Sequence, residues 1–287
     1  MNYKSLPKLL SVIRIVVGLL FLEHGLATAF GLFEGRPDHN FAKLHAWAGP
    51  IETTGAIFLI LGLFTRTTGF ILAGEMAIAY FQSRLRWAGP PGWVLLALPN
   101  NGEEAALNSF FFLWLMSTGG GAWSLDALIA KMKNAGSALK PGSLKERVSS
   151  WEPQLRGILR IVAAYMIFSH GLREVFHIML PRTTRGADSM MPLDSLGQAG
   201  GVVLLVLGLL LLVGWQIRPV GLLLALQCVL AYFVGSVPRD PIPIRNGGID
   251  DLVYACIFVY MAFTGAGAWS LESTAEKKQP AMSVSTT

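Results

Sequence analysis

The sequence predicts an all-α integral membrane protein made of two parallel four-helix bundle repeats, with about eight transmembrane helices. Three observations carry that prediction. Of 287 residues, 53% are apolar and only 14% are charged, with a mean hydropathy of +0.50, well outside the range of water-soluble globular domains. Eight segments approach the roughly 20 mainly apolar residues that a helix needs to cross a bilayer core about 30 Å thick. The second half of the chain also repeats the first.

The first apolar run, residues 8–33, contains "IRIVVGLLFLEHGLATAF" from Ile13 to Phe30. It is too long for a signal-peptide core and no small-residue cleavage site follows it, so it reads as the first spanning helix. Runs over residues 46–65, 67–83 and 104–122 complete the first unit. The second and third meet at "LFTRTTG", a connection short enough to require a tight helical hairpin. Trp123 falls where the fourth run ends, the interfacial position that indole favours. Ser124, with Asp126 two positions on, suits the cap and dipole of a short surface helix, "LDALIAKMK".

Residues 131–153 are polar, basic and marked by Gly and Pro, which predicts an exposed cytoplasmic linker. Runs over residues 155–180, 196–217, 218–236 and 249–268 form the second unit, with "VGWQIRPVG" as its hairpin and Trp269 and Ser270 at its end. The tail, residues 274–287, reads as disordered. The domains are therefore a first unit over 1–130, a linker over 131–153, a second unit over 154–273 and a tail over 274–287.

The repeat is dense. Arg14, His24 and Gly25 are answered by Arg160, His170 and Gly171, and "TGGGAWSLD" at Thr118 to Asp126 by "TGAGAWSLE" at Thr264 to Glu272. Gly55 and Gly62 in "GAIFLILG" match Gly201 and Gly208 in "GVVLLVLG". After a six-residue insertion, Arg66, Gly69, Leu72, Ala73, Tyr80 and Phe81 match Arg218, Gly221, Leu224, Ala225, Tyr232 and Phe233. The paired glycines lie seven apart on nearly one helix face, where small residues let helices approach closely. An even number of helices per unit makes the repeats parallel, related by an axis along the membrane normal.

The net charge of +5 and pI near 9.3 do not point to nucleic acid, because the basic residues are scattered over an apolar background. With the N-terminus inside, twelve Lys and Arg fall on the cytoplasmic side and nine outside, while Arg14 and Arg160 stay in the apolar runs. Five of the twelve crowd into the middle linker and a sixth, Arg156, lies just beyond it, which predicts cytoplasmic N- and C-termini in the cell inner membrane. Cys228 and Cys256 stand in separate helices without a C-x-x-C pair and read as structural thiols.

An ionisable group at mid-bilayer costs roughly 2.5–3.5 kcal/mol on insertion scales, so each asks for a partner, a snorkelling route or a role. His24 and His170 fall in the outer halves of their helices. Arg14 and Arg160 lie nearer the inner surface, where long stems can snorkel. The outer half also collects Glu23, Glu52, and Glu103 and Glu104 of "PNNGEEAAL"; the second copy offers Gln198 in the place of Glu52, and Asp250 and Asp251 in "RNGGIDDLVY". Carboxylates that open a helix are also a favourable dipole arrangement. Convergence at one depth makes His24, Glu104, Glu52, His170 and Asp250 the candidate catalytic set.

A carboxylate beside an imidazole orients it and leaves it able to exchange protons near neutrality. That chemistry suits a quinone site, and it equally suits a structural hydrogen bond. Arg14, Glu23, Glu75 and Arg160 are the candidate cofactor-binding positions, Glu75 having Gln227 as its counterpart. Two histidines on symmetry-related helices could ligate one haem, but nothing in the sequence makes them face each other, so haem is disfavoured. No metal-ligand set is predicted, and no H-E-x-x-H, Walker loop, G-x-G-x-x-G or nucleophile elbow occurs.

"RIVVGLLFLEHGLATAFG", "NGEEAAL" and "TGGGAWSLD" together resemble the DoxX family of small four-helix membrane proteins. The resemblance covers residues 8–126 and, more loosely, 155–272. It rests on Arg14, Gly18, His24, Gly25, Asn101, Gly102, Glu104, Trp123, Ser124, Leu125 and Asp126. The family often has a basic residue four positions after the histidine, whereas this chain has Thr28 and Glu174, and the second copy replaces Gly18 with Ala164. Members are typically one four-helix unit, so a fused pair implies that the unit dimerises and that one copy has room to specialise.

The related DoxD subunit is associated with thiosulfate:quinone oxidoreduction. The resemblance therefore implies a quinone-interacting subunit of a membrane redox complex, with quinone as cofactor and His24 and Glu104 as the proton-handling pair. With no flavin motif or metal cage, electrons would come through a redox partner protein. The alternative is a non-enzymatic scaffold or assembly factor whose outer loops, "RLRWAGPPGWVLLALPNNG" and "SVPRDPIPIRNGG", hold another protein; a transporter is a third reading. Expected partners are membrane lipids and a redox partner or a second copy of the chain, and no nucleic acid.

Overall fold

A computed structural model describes residues 5–34, 44–84, 102–132, 143–176 and 195–278, and the regular structure among them is helical. The first unit contributes α1 (Leu6–Phe30), α2 (Ala48–Leu61), α3 (Thr65–Ala79) and α4 (Glu103–Thr118). Two short helices follow, α5 (Leu125–Met132) and α6 (Leu144–Ser150). The second unit then supplies α7 (Glu152–Phe176), α8 (Ser195–Val213), α9 (Ile217–Ala231), the four-residue α10 (Pro243–Asn246) and α11 (Ile249–Thr264), before a final α12 (Leu271–Lys278). Each of the eight predicted apolar runs thus contains a helix.

α1, α7 and the stretch Ile217–Ser236 are each long and apolar enough to cross a membrane, while Ala48–Leu61 and Gln198–Val213 are shorter apolar helices. The outward faces carry Phe70, Ile71, Ile78, Leu222, Leu226 and Leu230, all exposed. A surface of that kind is stable against lipid and not against water. α3 and α9 both continue into a π turn, Tyr80–Arg84 and Tyr232–Ser236, so the repeat extends to this irregularity.

Within each unit the helices pack in the same pairs: α1 on α2 and α3 on α4, then α7 on α8 and α9 on α11. The halves meet where α4 packs on α7 and where α11 packs on α1, the same two repeat positions with the halves exchanged. Trp114 and its repeat counterpart Tyr260 meet edge to face at 4.6 Å across this junction, and the Trp114 indole donates to Glu152 at 3.2 Å. The innermost side chains include Trp114, Phe111, Phe112 and Phe258.

Arg14 and Arg160 do not snorkel. Both are 0% exposed. Arg14 donates from Nε to Gly120 O (2.9 Å), from Nη1 to Leu59 O and to Ile60 O (2.9 Å), and from Nη2 to Trp123 O (2.6 Å). Arg160 repeats the pattern on Ala266 O (3.0 Å), Leu211 O (2.7 Å), Leu212 O and Trp269 O (2.8 Å). The last carbonyls of a helix have no partner within it and form the negative end of its dipole. A guanidinium fork answers several at once. These arginines clamp helix ends, with four of the five donors of Arg14 and all five of Arg160 bonded to backbone carbonyls, a structural role where a cofactor-binding one was expected.

The clamps also reset the alignment of the repeats. Leu59 and Ile60 answer Leu211 and Leu212, and Gly62 answers Gly214, each a left-handed cap with φ of 66° and 70° whose added Cβ would strike Ser124 or Ser270. Gly25 lies against Thr53 of α2, and Gly171 against Leu205 of α8. The six-residue insertion therefore precedes α8 rather than following it, and the expected matches of Gly55 and Gly62 to Gly201 and Gly208 give way to Gly49 with Gly201 and Gly62 with Gly214. Glu52 then corresponds to Leu204. Gln198, expected in its place, is exposed near the start of α8.

The predicted hairpins form, with α3 starting at Thr65 after Gly62 and α9 at Ile217 after Gly214. Ser124 caps α5 by accepting from Ala127 N at 3.1 Å, as expected. Asp126 instead accepts from Phe64 N and Thr65 N, both at 2.8 Å, at the start of α3, and Glu272 does the same for Ile217 N at 2.9 Å. Part of the predicted linker is the helix α6, which packs on α4 and α7, and the predicted disordered tail begins with helix as far as Lys278. Residues 133–142 and 279–287, and the whole of the loop at 85–101 with Asn101, lie outside the described residues. Cys228 and Cys256 are free thiols.

Candidate functional site

His24 sits about 15 Å along α1 from Arg14, at 1.5 Å per residue, and so lies in the opposite half of the helix from the clamp. Gly25 determines what it meets. A Cβ there would stand 2.6 Å from Thr53 N, so only glycine lets α2 come this close. The residue before Thr53 is Glu52, and the crossing brings its Oε1 to 3.7 Å from His24 Nε2. Glu104, in the first turn of α4, stands 3.4 Å from His24 Nδ1. One imidazole therefore has a carboxylate at each ring nitrogen. Phe21, one turn earlier on α1, stacks near the ring with centroids 6.3 Å apart and meets Phe112 edge to face at 4.9 Å.

Exposure falls inward. The side chains of His24 and Glu104 are each 35% exposed, whereas that of Glu52 is 3% exposed. Glu52 Oε2 is buried with no hydrogen-bond partner, and the same holds for Glu75 Oε2 and Asn108 Oδ1. Glu75, from α3, interacts electrostatically with both Glu52 and His24. Asn108 lies one turn from Glu104 and one turn from Phe112 on α4, which puts it on the same helix face as those two residues. A buried acceptor without a donor costs about 1–3 kcal/mol, so these oxygens mark a place where a donor is expected.

The second histidine has a different environment. His170 Nε2 lies 2.7 Å from Oε1 of Glu103, a residue of the other half, and the Tyr254 hydroxyl donates to the same oxygen at 2.5 Å. Asp250 does not serve His170. Its electrostatic neighbours include Glu104, its repeat counterpart, together with Glu103, Asp251 and His24, and its Oδ1 is buried and unpaired. Glu23 faces away from this cluster: its Oε2 accepts from Ile244 N at 3.1 Å, tying α1 to α10 of the second half. Among the described residues no three metal-ligating groups converge to hold an ion.

Of the expected site, the structure unites His24, Glu52, Glu75, Glu104 and Asp250. It separates His170 into its own contact and removes Arg14, Arg160 and Glu23 to structural work. Sequence reading identified Glu103 but not its link to His170, and it missed Tyr254 and Asn108. The available signal was that Tyr254 and Asn108 are repeat counterparts one turn from the acidic start of each fourth helix.

The model of the DoxX family matches residues 9–83 and again residues 155–236, more than half of the chain. The chain belongs to the DoxX family. A DoxX unit accordingly occurs twice in it. An uncharacterized protein of Haemophilus influenzae is 42% identical over 126 residues, which cover 43% of this chain and 92% of that relative. An uncharacterized membrane protein of Mycobacterium tuberculosis is 30% identical over 146 residues, covering 45% of this chain and 86% of the relative. Both relatives are about the size of one unit, so this DoxX chain contains in one polypeptide what each of them has once. No solved structure matches the chain.

Proposed function

We propose that this DoxX protein is a quinone-interacting subunit of a redox complex in the cytoplasmic membrane. It has eight crossings, cytoplasmic termini, and two parallel units related by an axis along the membrane normal. In that orientation the His24 cluster lies in the outer half of the bilayer, and electrons are delivered by a partner protein. The observation that carries the reading is His24 held between Glu104 and Glu52, with unpaired buried oxygens of Glu52, Glu75 and Asn108 beside it.

These residues fit a quinone head group. The orphaned acceptors can receive its hydroxyls in the reduced form, and Phe21 and Phe112 offer an apolar wall. A bound quinone supplies redox chemistry in which protons move with electrons. The chain's own task is to hold and release those protons: Glu104 exchanges with the surface, and His24 carries one proton on either ring nitrogen between the two carboxylates. The nitrogen–oxygen separations of 3.4 and 3.7 Å are within ion-pair range.

His24→Ala is expected to lower quinone-linked turnover of membranes containing the full chain and its partner by about 100-fold, the usual scale of a lost proton-transfer group. Unchanged turnover in a folded variant would overturn the reading.

A further inference from the structure

The repeats have the same histidine, and each meets a carboxylate from the start of α4, with Asp251 also interacting with His170, yet the groups beyond that first contact differ. Around His24, α2 contributes Glu52, α3 Glu75, α4 Glu104 and α11 Asp250. Around His170, the counterparts of Glu52 and Glu75 are Leu204 and Gln227. Neither of those side chains can accept and pass on a proton. The imidazole of His170 bonds instead to Glu103 across the junction of the halves, and Tyr254 from α11 closes the same carboxylate from the other side.

We propose that the two halves have divided their work: the first holds an inward proton route, Glu104 to His24 to Glu52 to Glu75, while His170 with Glu103 and Tyr254 fastens the halves together. The route rests on the reading of the His24 cluster as a proton-handling site; the fastening does not. Protons balance at every step. A protonated Glu104 gives its proton to Nδ1 of a neutral His24 that carries hydrogen on Nε2, the Nε2 proton leaves for the Glu52 carboxylate, and Glu52 passes it to the Glu75 carboxylate with which it interacts; a proton from water restores Glu104, and a flip of the imidazole ring returns its remaining proton to the Nε2 side. The order follows exposure as far as Glu52, from 35% at Glu104 and His24 to 3% at Glu52, and Glu75 beyond it is half-buried with its Oε2 atom enclosed. The unpaired, buried Oε2 atoms of Glu52 and Glu75 are where the route ends and a ligand would receive or give up the proton.

The fastening has the geometry of a permanent contact. Glu103 is 8% exposed and takes both bonds on one oxygen, and the chain separation between its partners spans α7 and α11. Breaking one partner leaves a buried carboxyl half satisfied, which destabilises the junction rather than altering proton transfer.

The test uses the full chain in lipid nanodiscs. Infrared difference spectra on a pH step give carboxyl bands, and the Glu52 component is the part that Glu52→Gln removes. We expect that component to vanish in His24→Gln and to persist in His170→Gln and Tyr254→Phe, while those last two lower the melting temperature by several degrees. His24→Asn replaces His24→Gln where the latter does not fold. Loss of the Glu52 component in His170→Gln, or its survival in both His24 variants, overturns the division. Unchanged melting in His170→Gln and Tyr254→Phe overturns the fastening. If the Glu52 component depends on His24 while quinone-linked turnover does not, the quinone reading fails and the division of the halves stands.

Discussion

Arg14 shows why a single ionisable residue in an apolar helix needs its environment before it has a meaning. Its charge is costly in lipid, and its length suggests escape to the surface, yet the fork instead satisfies the carbonyls of Leu59, Ile60, Gly120 and Trp123. Lysine presents a point charge with no planar fork and cannot reach all four. Arg14→Lys is therefore expected to destabilise the protein by about 2–4 kcal/mol, with two or more buried carbonyls left unpaired. Thermal melting of the purified variant checks it, and Arg160→Lys should behave alike because its partners are equivalent. His24 is the opposite case: its partners are side chains, so its replacement affects chemistry more than the backbone around it.

At the scale of elements, helix crossings decide which residues become neighbours. Gly25 is the contact point of α1 with α2, and the same crossing that admits the Thr53 backbone sets Glu52 against His24. Gly25→Ala is expected to push the two helices apart and lengthen the His24–Glu52 separation. Because the added Cβ would meet backbone atoms, the cost is that of overpacking, about 1–3 kcal/mol. The check is a loss of turnover that exceeds the loss of folded protein. Gly171→Ala, with its Cβ 2.7 Å from Leu205 N, should cost similar stability and spare turnover, because the adjoining residue is Leu204.

At the scale of the whole molecule, two units of one family are joined through the first and fourth helices of each. Trp114 is the largest side chain fully buried, and it touches Tyr260 and Glu152 of the other half. Trp114→Ala is expected to cost about 3–5 kcal/mol, the range for a large aromatic removed from a core. The loss should appear as a lower melting temperature of the intact chain. Duplication followed by fusion fixes which partner each unit meets. That releases one copy from carrying every function, consistent with Leu204 and Gln227 standing where Glu52 and Glu75 stand in the other.

The class of the protein, the eight helical runs, the hairpins and the candidate imidazole and carboxyl groups were legible in the sequence. They follow from composition, from apolar length and from motifs that recur within a single chain. The register of α8 was not legible, because Gly49, Gly55 and Gly62 match Gly201, Gly208 and Gly214 in more than one way, and the apolar residues between them are interchangeable in lipid. Only the packing of Gly171 on Leu205 and the bonds of Arg160 to Leu211 and Leu212 fixed it. The partner of His170 was likewise a tertiary decision. Helical periodicity states which face a residue occupies, but contact across the junction depends on how the halves dock, and that docking brought Glu103 of one repeat to the histidine of the other.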